Sequence, residues 1–209
     1  AREPYFGVKV QDVKKIVKKI KKDHELALGL YATGNSDAMY MAGLIADETK
    51  MTKADLNKWA DEAYWYMISE FTVAWIASES DHGYEIALEW IESKEERIAA
   101  AGWATLSYTA ALKADEDLDL EAYSAFLDRV EANVHTSQNR VRHVMNAFVI
   151  AIGGYVEPLT KKASDVAKKI GKVSVDMGGT ACKVPLATDY IKKVVDRGNL
   201  GKKRKSARC

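Results

Sequence analysis

The sequence has little of what disulfide frameworks, metal sites and membrane spans are built from. Its 209 residues include only two cysteines, Cys182 and Cys209, and four scattered histidines. No CxxC or HExxH spacing occurs, so we expect no disulfide framework, no metal site and no cofactor. The apolar runs fall well short of the roughly 20 residues that a membrane span requires. These absences favour a globular protein of a reducing compartment, and we expect a cytoplasmic location.

Prolines are also rare, and no segment shows the alternating pattern of a β-strand. Pro4, Pro158 and Pro185 each stand where a helix could begin. Helical periodicity dominates instead, as in the segment 10–20, whose apolar residues form one stripe opposite its lysines. The sequence predicts an all-α fold with helices over 10–20, 23–33, 36–47, 52–65, 69–79, 82–92, 94–112, 119–134, 138–153, 157–170 and 184–197.

Local signals support several of these boundaries. Ser36 is predicted to cap the third helix, and Thr52 opens the fourth in a capping-box-like pattern with Asp55. Small residues such as Gly43 and Gly102 would let neighbouring helices approach closely. The segment 172–185 is too polar and too rich in glycine for a helix, so it is predicted to be a loop.

A short internal sequence repeat indicates repeated helix pairs. The segment 23–28 (DHELAL) resembles the segment 81–88 (DHGYEIAL), and a second helix follows each of them. The pairs fall near 23–48, 52–79, 81–112, 119–153 and 157–196, and these lengths predict a HEAT-like solenoid, curved, with a concave face. We expect a single repeat domain over residues 1–209, with a mobile basic tail over 198–209.

Charge is balanced overall but unevenly distributed. The chain has 31 Lys and Arg against 30 Asp and Glu, a net charge of +1, so nothing pulls the whole molecule toward polyanions. Basic residues gather near the end, where the run 202–205 (KKRK) is typical of a nucleic-acid patch or a localisation tag. A solvated tail is the alternative interpretation.

Three further groups could carry chemistry. Trp65 and Ser69 lie one helical turn apart with Glu70 beside them, and a Trp next to a carboxylate can stabilise developing positive charge. A core Trp with a surface carboxylate is the alternative. Arg140, Arg142 and the neighbouring histidine open a helix and could bind phosphate, or could be a solvated helix end. The glycine-rich segment 176–180 precedes a helix and could bind phosphate, or could be a plain connector.

Longer stretches of the sequence resemble a known family. The segments FGVKVQDVKKIVKKIKKDHELALGLYATGNSDAMYMAGLI (6–45), NRVRHVMNAFVIAIGGY (139–155) and CKVPLATDYIKKVVDRGNLGKKRK (182–205) are similar to the AlkD-like DNA alkylation repair family. The resemblance implies a HEAT-like solenoid whose concave basic surface grips duplex DNA. Active relatives are DNA glycosylases that excise N3- and N7-alkylated purines, using two Trp, an Asp and an Arg.

Only part of that lesion cleft transfers to this chain. Trp65 matches the first Trp, whereas the Asp position falls on Ser69, with Glu70 adjacent. The Arg position falls near Ala100 and the second Trp near Ala147. A serine hydroxyl cannot supply the negative charge that stabilises an oxocarbenium-like state. Loss of that negative charge would slow base excision by roughly two to three orders of magnitude.

Three hypotheses follow: a glycosylase with Trp65 and Glu70 as catalytic residues, a non-catalytic binder of damaged or branched DNA, and a protein-interaction scaffold. For either DNA hypothesis we expect a monomer acting on duplex DNA, associated with the nucleoid in a bacterium. The predicted DNA contacts are Ser69, Trp103, Arg140, Arg142, His143, Lys183, Lys202, Lys203, Arg204 and Lys205.

Overall fold

A computed structural model describes residues 3–179 and 182–208 and confirms the all-α prediction. These residues contain no β-strand, and a π-helical turn, Ile68–Val73, leads into the fifth helix. The helices are α1 (Val10–Ile20), α2 (His24–Ala32), α3 (Ser36–Ile45), α4 (Lys53–Glu62), α5 (Ala74–Glu79), α6 (Gly83–Trp90), α7 (Glu96–Leu112), α8 (Leu120–Asn133), α9 (Asn139–Tyr155), α10 (Thr160–Ile170) and α11 (Ala187–Asp196).

The chain divides into two compact units. Unit 1 comprises Ala1–Thr105 with Ser206–Cys209, and unit 2 comprises Leu106–Lys205. In unit 1, α2 packs on α3 and α5 packs on α6, while in unit 2 α9 packs on α8, α10 and α11. The expectation of one repeat domain over the whole chain stays a prediction.

Side-chain caps set the helix starts in unit 1. Asp23 Oδ1 accepts the Leu26 N–H at the start of α2 over 3.0 Å. The capping box of α4 is confirmed, because the Asp55 N–H donates to Thr52 and the Thr52 N–H donates back to Asp55. The prediction that Ser36 caps α3 is wrong. Asn35 is the cap, since its Oδ1 accepts the first free N–H groups of the helix, and Ser36 is the first helical residue.

Several predicted helix boundaries move by a few residues, and two of them have a clear local cause. The fourth helix ends at Glu62 rather than near residue 65, because Ala63 leaves the helical conformation. The last helix begins at Ala187 rather than at residue 184. Proline disfavours a helical conformation in the residue before it, and Leu186 is still extended. Asn146 Nδ2 donates to the Pro185 carbonyl over 2.9 Å and so fixes this approach to α11.

Stacked aromatic residues hold each unit together. In unit 1 the rings of Tyr31 and Trp59 stack with centroids 4.0 Å apart, and the Tyr31 hydroxyl donates to the Trp59 carbonyl. Burial, with the nearby Glu62 charge, raises the pKa of Tyr31 well above its ordinary value, so its hydroxyl keeps the proton that it donates. In unit 2 Tyr123 stacks on Phe148 with centroids 6.0 Å apart.

Glycines permit the closest helix contacts, as predicted for Gly43 and Gly102. A Cβ on Gly43 would lie 2.5 Å from Thr72 Cγ2, and one on Gly102 would lie 2.8 Å from the Ile91 backbone nitrogen. Those distances are too short for any side chain. The role of these small residues in close helix packing is therefore confirmed within unit 1.

Candidate nucleic-acid interface

The three residues predicted around the lesion cleft meet at the π-helical turn of unit 1. The Trp65 carbonyl accepts the N–H groups of Ile68 and Ser69 over 2.9 and 3.1 Å, which starts this turn. Single π-helical turns inside helices occur often at functional sites. The Trp65 ring is half-buried and meets the ring of Tyr66 edge-on, with centroids 5.4 Å apart. Trp65 also packs against the hydrophobic core of unit 1, so only part of its surface is accessible.

The polar residues of this group are buried away from solvent. Ser69 is 1% exposed and Glu70 is 2% exposed, both inside unit 1. Trp103, on α7, is 0% exposed in the same unit. A fully buried side chain cannot touch DNA while its helices stay together. The roles predicted for Ser69, Glu70 and Trp103 stay predictions, and each of them requires that unit 1 opens.

The cationic start of α9 is partly open to solvent. Arg140, Arg142 and His143 lie on its first turns and are each half-buried. Arg140 Nη2 lies 3.3 Å from His143 Nδ1. Arg142 Nη2 lies 3.5 Å from Asn139 Oδ1, while its Nε is buried without a hydrogen-bond partner among the described residues. The first turn of α9, at the positive end of the helix dipole, contains no acidic residue.

The predicted loop lies against this helix start. Asn139 Nδ2 donates to the Asp176 carbonyl over 2.9 Å, and its Oδ1 accepts the Asp176 N–H over 2.7 Å. The Arg140 guanidinium contacts the Met177 sulfur at 3.8 Å. Gly178 and Gly179 follow with φ of +63° and +75°, a conformation that glycine tolerates. Of the glycine-rich segment 176–180, residue 180 lies outside the described residues.

The other predicted DNA-contact residues differ in whether they already bind groups of the protein. Lys183, Lys202 and Lys205 are exposed. Lys203 Nζ instead forms an ion pair with Asp115 at 2.8 Å and donates to the Ala110 carbonyl at 2.9 Å. The Arg204 N–H donates to the Ala111 carbonyl over 2.8 Å. The predicted mobility of residues 198–209 stays a prediction.

The end of the chain carries an ion-pair network that the sequence analysis missed. Arg208, whose side chain is 10% exposed, contacts Glu79 through Nε at 2.9 Å and Glu48 through Nη2 at 2.6 Å, all within unit 1. Glu79 also accepts the Ser206 hydroxyl at 2.6 Å and the Ala207 N–H at 2.7 Å. No spacing in the sequence could have paired residues so far apart along the chain.

The lysines of α10 form a paired surface. Lys162 pairs with Asp128 at 2.7 Å, Lys169 pairs with Glu131 at 2.9 Å, and Asp165 lies between Lys161 and Lys168. Hydrogen bonds from those two lysines lower the pKa of Asp165, and the hydrogen bond to Glu131 raises the pKa of Lys169. These lysines are neutralised by the protein itself.

Across 3–179 and 182–208, no three His, Cys, Asp or Glu side chains are grouped so that they could hold a metal ion. Over that same part of the chain, no helix combines the length and the apolar character that crossing a bilayer requires.

Comparison with known proteins identifies the family. Residues 1–171 match the sequence profile of a family described as DNA alkylation repair enzyme. The chain belongs to this family. Two relatives are uncharacterized proteins of Listeria innocua serovar 6a and Listeria monocytogenes serovar 1/2a, each 36% identical, covering 93% and 92% of the chain and 85% and 84% of their own lengths.

A solved structure is similar to this DNA alkylation repair family member over its full length. That structure is described as a new family of proteins related to the HEAT-like repeat DNA glycosylases, with affinity for branched DNA structures. The two chains are 40% identical and superpose with a TM-score of 0.91, over 100% of this chain and 89% of the other. The predicted resemblance and the predicted HEAT-like fold are confirmed.

Proposed function

We propose that this protein binds branched and duplex DNA through phosphate contacts, without excising a base. The start of α9 carries the proposal. There Arg140, Arg142 and His143 gather at the positive end of a helix that has no acid in its first turn. Backbone N–H groups and guanidinium groups donate hydrogen bonds to the phosphate oxygens of DNA. The branched-DNA affinity described for the similar structure supports the same reading.

Further phosphate contacts come from exposed lysines outside α9. Lys183, Lys202 and Lys205 are open to solvent, whereas Lys203 already binds Asp115. With a net charge of only +1, binding rests on such local groups rather than on the field of the whole molecule. Under this proposal the protein works as a monomer on cytoplasmic, nucleoid-associated DNA. Duplex binding on a concave face stays part of the proposal.

The salt dependence of DNA binding tests this assignment. Each phosphate contact that a protein loses reduces the slope of log affinity against log salt by about 0.9. We expect Arg140→Gln and Arg142→Gln each to weaken binding to a three-way junction and to a linear duplex alike, and to reduce that slope by about one contact. Fluorescence anisotropy at several salt concentrations measures both quantities.

Arg97→Gln is the matched control, because Arg97 is already paired with Asp61 at 2.8 Å and Glu95 at 2.9 Å. It should leave the DNA slope unchanged. If the wild-type protein binds neither DNA, or binds with no salt dependence, the proposal is wrong. A partner protein that co-purifies in place of DNA affinity would then favour the scaffold hypothesis.

Base excision is the second candidate function. The observation in its favour is the π-helical turn, which puts Glu70 one turn from a half-exposed Trp65. The burial of Glu70 counts against it, because that carboxylate must reach the lesion. Release of 7-methylguanine or 3-methyladenine from methylated duplex DNA is the direct measurement.

The excision hypothesis requires that Trp65→Ala and Glu70→Gln both lose product release while DNA affinity is kept. Release that survives in Glu70→Gln would remove the catalytic role of this carboxylate. No release from the wild-type protein, with salt-sensitive DNA binding intact, would leave the non-catalytic function alone.

A further inference from the structure

Helix α1 displays lysines that the protein does not neutralise. Lys14, Lys18, Lys19 and Lys21 are exposed and form no ion pair with any residue of the described part of the chain. Lys14 and Lys18 stand four residues apart, and like charges at this spacing destabilise a helix. Such an arrangement is favourable when a polyanion supplies the missing charge.

The lysine cluster of α10 differs from that of α1, because carboxylates of the protein neutralise it. Both helices carry two pairs of adjacent lysines, KKIVKK in α1 and KKASDVAKK in α10. In α10 each of the four lysines has a carboxylate partner, and Asp165 stands between the pairs. In α1 the same interval holds Ile16 and Val17. Lys15 pairs with Asp12 at 2.8 Å, whereas Lys14, Lys18 and Lys19 form no ion pair with the described residues, and this is a local property of α1.

An exposed aromatic ring precedes α1 on an ordered segment. Phe6 is 76% exposed and lies three residues before Lys9, the N-cap of α1. The N–H groups of Phe6, Gly7 and Val8 donate in succession to one oxygen of Asp37, at 2.8, 2.7 and 3.2 Å. The ring is thus held out in solvent by a fixed backbone, so little conformational entropy remains to be lost when it meets a partner.

We propose that this N-terminal surface, defined as Phe6 with Lys14, Lys18, Lys19 and Lys21, docks on the branch point of a DNA junction. Phe6 stacks on the base-pair face that opens where the arms diverge, and the lysines contact the flanking phosphates. Aromatic side chains stack on any base, and lysines follow the backbone without reading sequence. A continuous duplex offers no open base-pair face between its ends, so the surface favours branched over linear DNA.

This inference rests on the proposed DNA-binding function and names the feature of DNA that unit 1 recognises. A lipid surface is the other anionic partner that suits an amphipathic lysine-rich helix. The branched-DNA affinity described for the similar structure favours DNA. Within the apolar stripe of α1, Val13 is buried and Val17 and Ile20 pack against the core of unit 1, so these three residues cannot enter a bilayer while α1 stays in its unit. Val10 and Ile16 are exposed, and the vesicle experiment below tests whether they contact lipid.

Phe6→Ala tests the stacking contact. The measurement is the ratio of the dissociation constants for a linear duplex and a three-way junction, with 2-aminopurine placed at the branch as a stacking reporter. We expect Phe6→Ala to lower this ratio about ten-fold and to abolish the 2-aminopurine quenching, with duplex affinity unchanged within about two-fold. Phe6→Trp should restore both signals.

Matched variants separate stacking from general effects. Leu26→Ala removes another exposed apolar side chain of unit 1 and should leave the ratio unchanged. Lys18→Gln should weaken junction binding and lower its salt slope by about 0.9, whereas Lys168→Gln, at the paired α10 surface, should not.

The outcomes distinguish the two proposals. A wild-type protein that binds no DNA overturns the proposed function together with this inference. A wild-type protein that binds both DNAs equally, or a ratio that Phe6→Ala leaves unchanged, overturns the inference alone. Binding to phosphatidylserine vesicles that Phe6→Ala abolishes, with the junction ratio intact, would overturn it in favour of a lipid partner.

Discussion

Arg208 brings several acceptors of unit 1 together. Its guanidinium reaches Glu48, Glu79 and the Ala46 carbonyl, the last at 2.8 Å. Removing one partner of a largely buried ion pair leaves an uncompensated charge behind. We expect Arg208→Ala to lower the free energy of unfolding by about 2 kcal/mol, below the fully buried range because both carboxylates retain some exposure. Urea denaturation measures the change. Lys15→Ala, which breaks an exposed pair, should stay within about 0.5 kcal/mol of the wild type.

The same network predicts a pH dependence. Burial by itself raises the pKa of Glu48, but the hydrogen bonds and charges of Lys22 and Arg208 outweigh it and hold that pKa below its ordinary value. A depressed carboxylate pKa stabilises the fold above the ordinary glutamate pKa, and this contribution is lost as pH falls through the depressed value. The stability difference between wild type and Arg208→Ala should therefore shrink below about pH 4. A difference that stays constant from neutral pH to pH 3 would contradict this account.

Two glycines of unit 1 differ in what a methyl group would meet. At Gly83 a Cβ would lie 2.2 Å from the Ala77 carbonyl oxygen, a backbone atom that cannot rotate away. At Gly29, within α2, it would meet nothing within 4 Å. We expect Gly83→Ala to destabilise by at least about 2 kcal/mol. Gly29→Ala should stabilise by about 0.5–1 kcal/mol, because alanine restricts the unfolded chain and suits a helix. Thermal unfolding of the two variants side by side checks the opposite signs.

At the scale of elements, the start of α9 and the loop that follows α10 depend on Asn139. Its side-chain amide makes both hydrogen bonds to the backbone of Asp176, in the manner of a paired strand. Asn139→Ala should release the segment 172–179, because no other side chain repeats this pair of bonds among the described contacts of Asp176. We expect faster hydrogen exchange at the Asp176 amide, by about ten-fold or more for each 1.4 kcal/mol lost.

Asn133→Ala is the control for that experiment. Asn133 also donates from its side-chain amide to a backbone carbonyl, that of Arg129 within α8, at 2.9 Å. Its removal should leave exchange at Asp176 unchanged. Equal protection of Asp176 in both variants would show that Asn139 does not hold the loop.

The element scale also shows why some boundaries escaped sequence analysis. A period of 3.6 residues predicts that a helix runs through residues 69–79, and it does. It does not distinguish an α-helical from a π-helical turn at Ile68–Val73, because a segment of 6 residues is too short to separate the two periods. Caps are local and were read correctly at Thr52. Asn35 and Ser36 are both capable caps, and it is the Asn35 side chain that accepts the N–H groups of Asp37 and Ala38.

For the whole molecule, near-neutral charge shapes how DNA binding should respond to salt. Because the net charge is +1, no global field adds to the local contacts. We expect junction affinity to fall by orders of magnitude between about 50 and 200 mM salt if six or more phosphates are contacted. Over the same range the urea midpoint should hardly change, since the exposed ion pairs contribute little. Parallel titrations of binding and unfolding test this; equal losses in both would indicate unfolding rather than counterion release.

The sequence by itself determined the helical fold, most helix positions, the family and the cationic start of α9. These depend on periodicity, local caps and runs of similar residues, all of which are short-range patterns. Tertiary structure alone decided which polar residues are available. Packing within unit 1 buried Glu70 and Ser69 away from solvent, and Asp115 formed an ion pair with Lys203. It also paired Arg208 with acids more than a hundred residues away, because burial and long-range ion pairs arise only when distant segments meet.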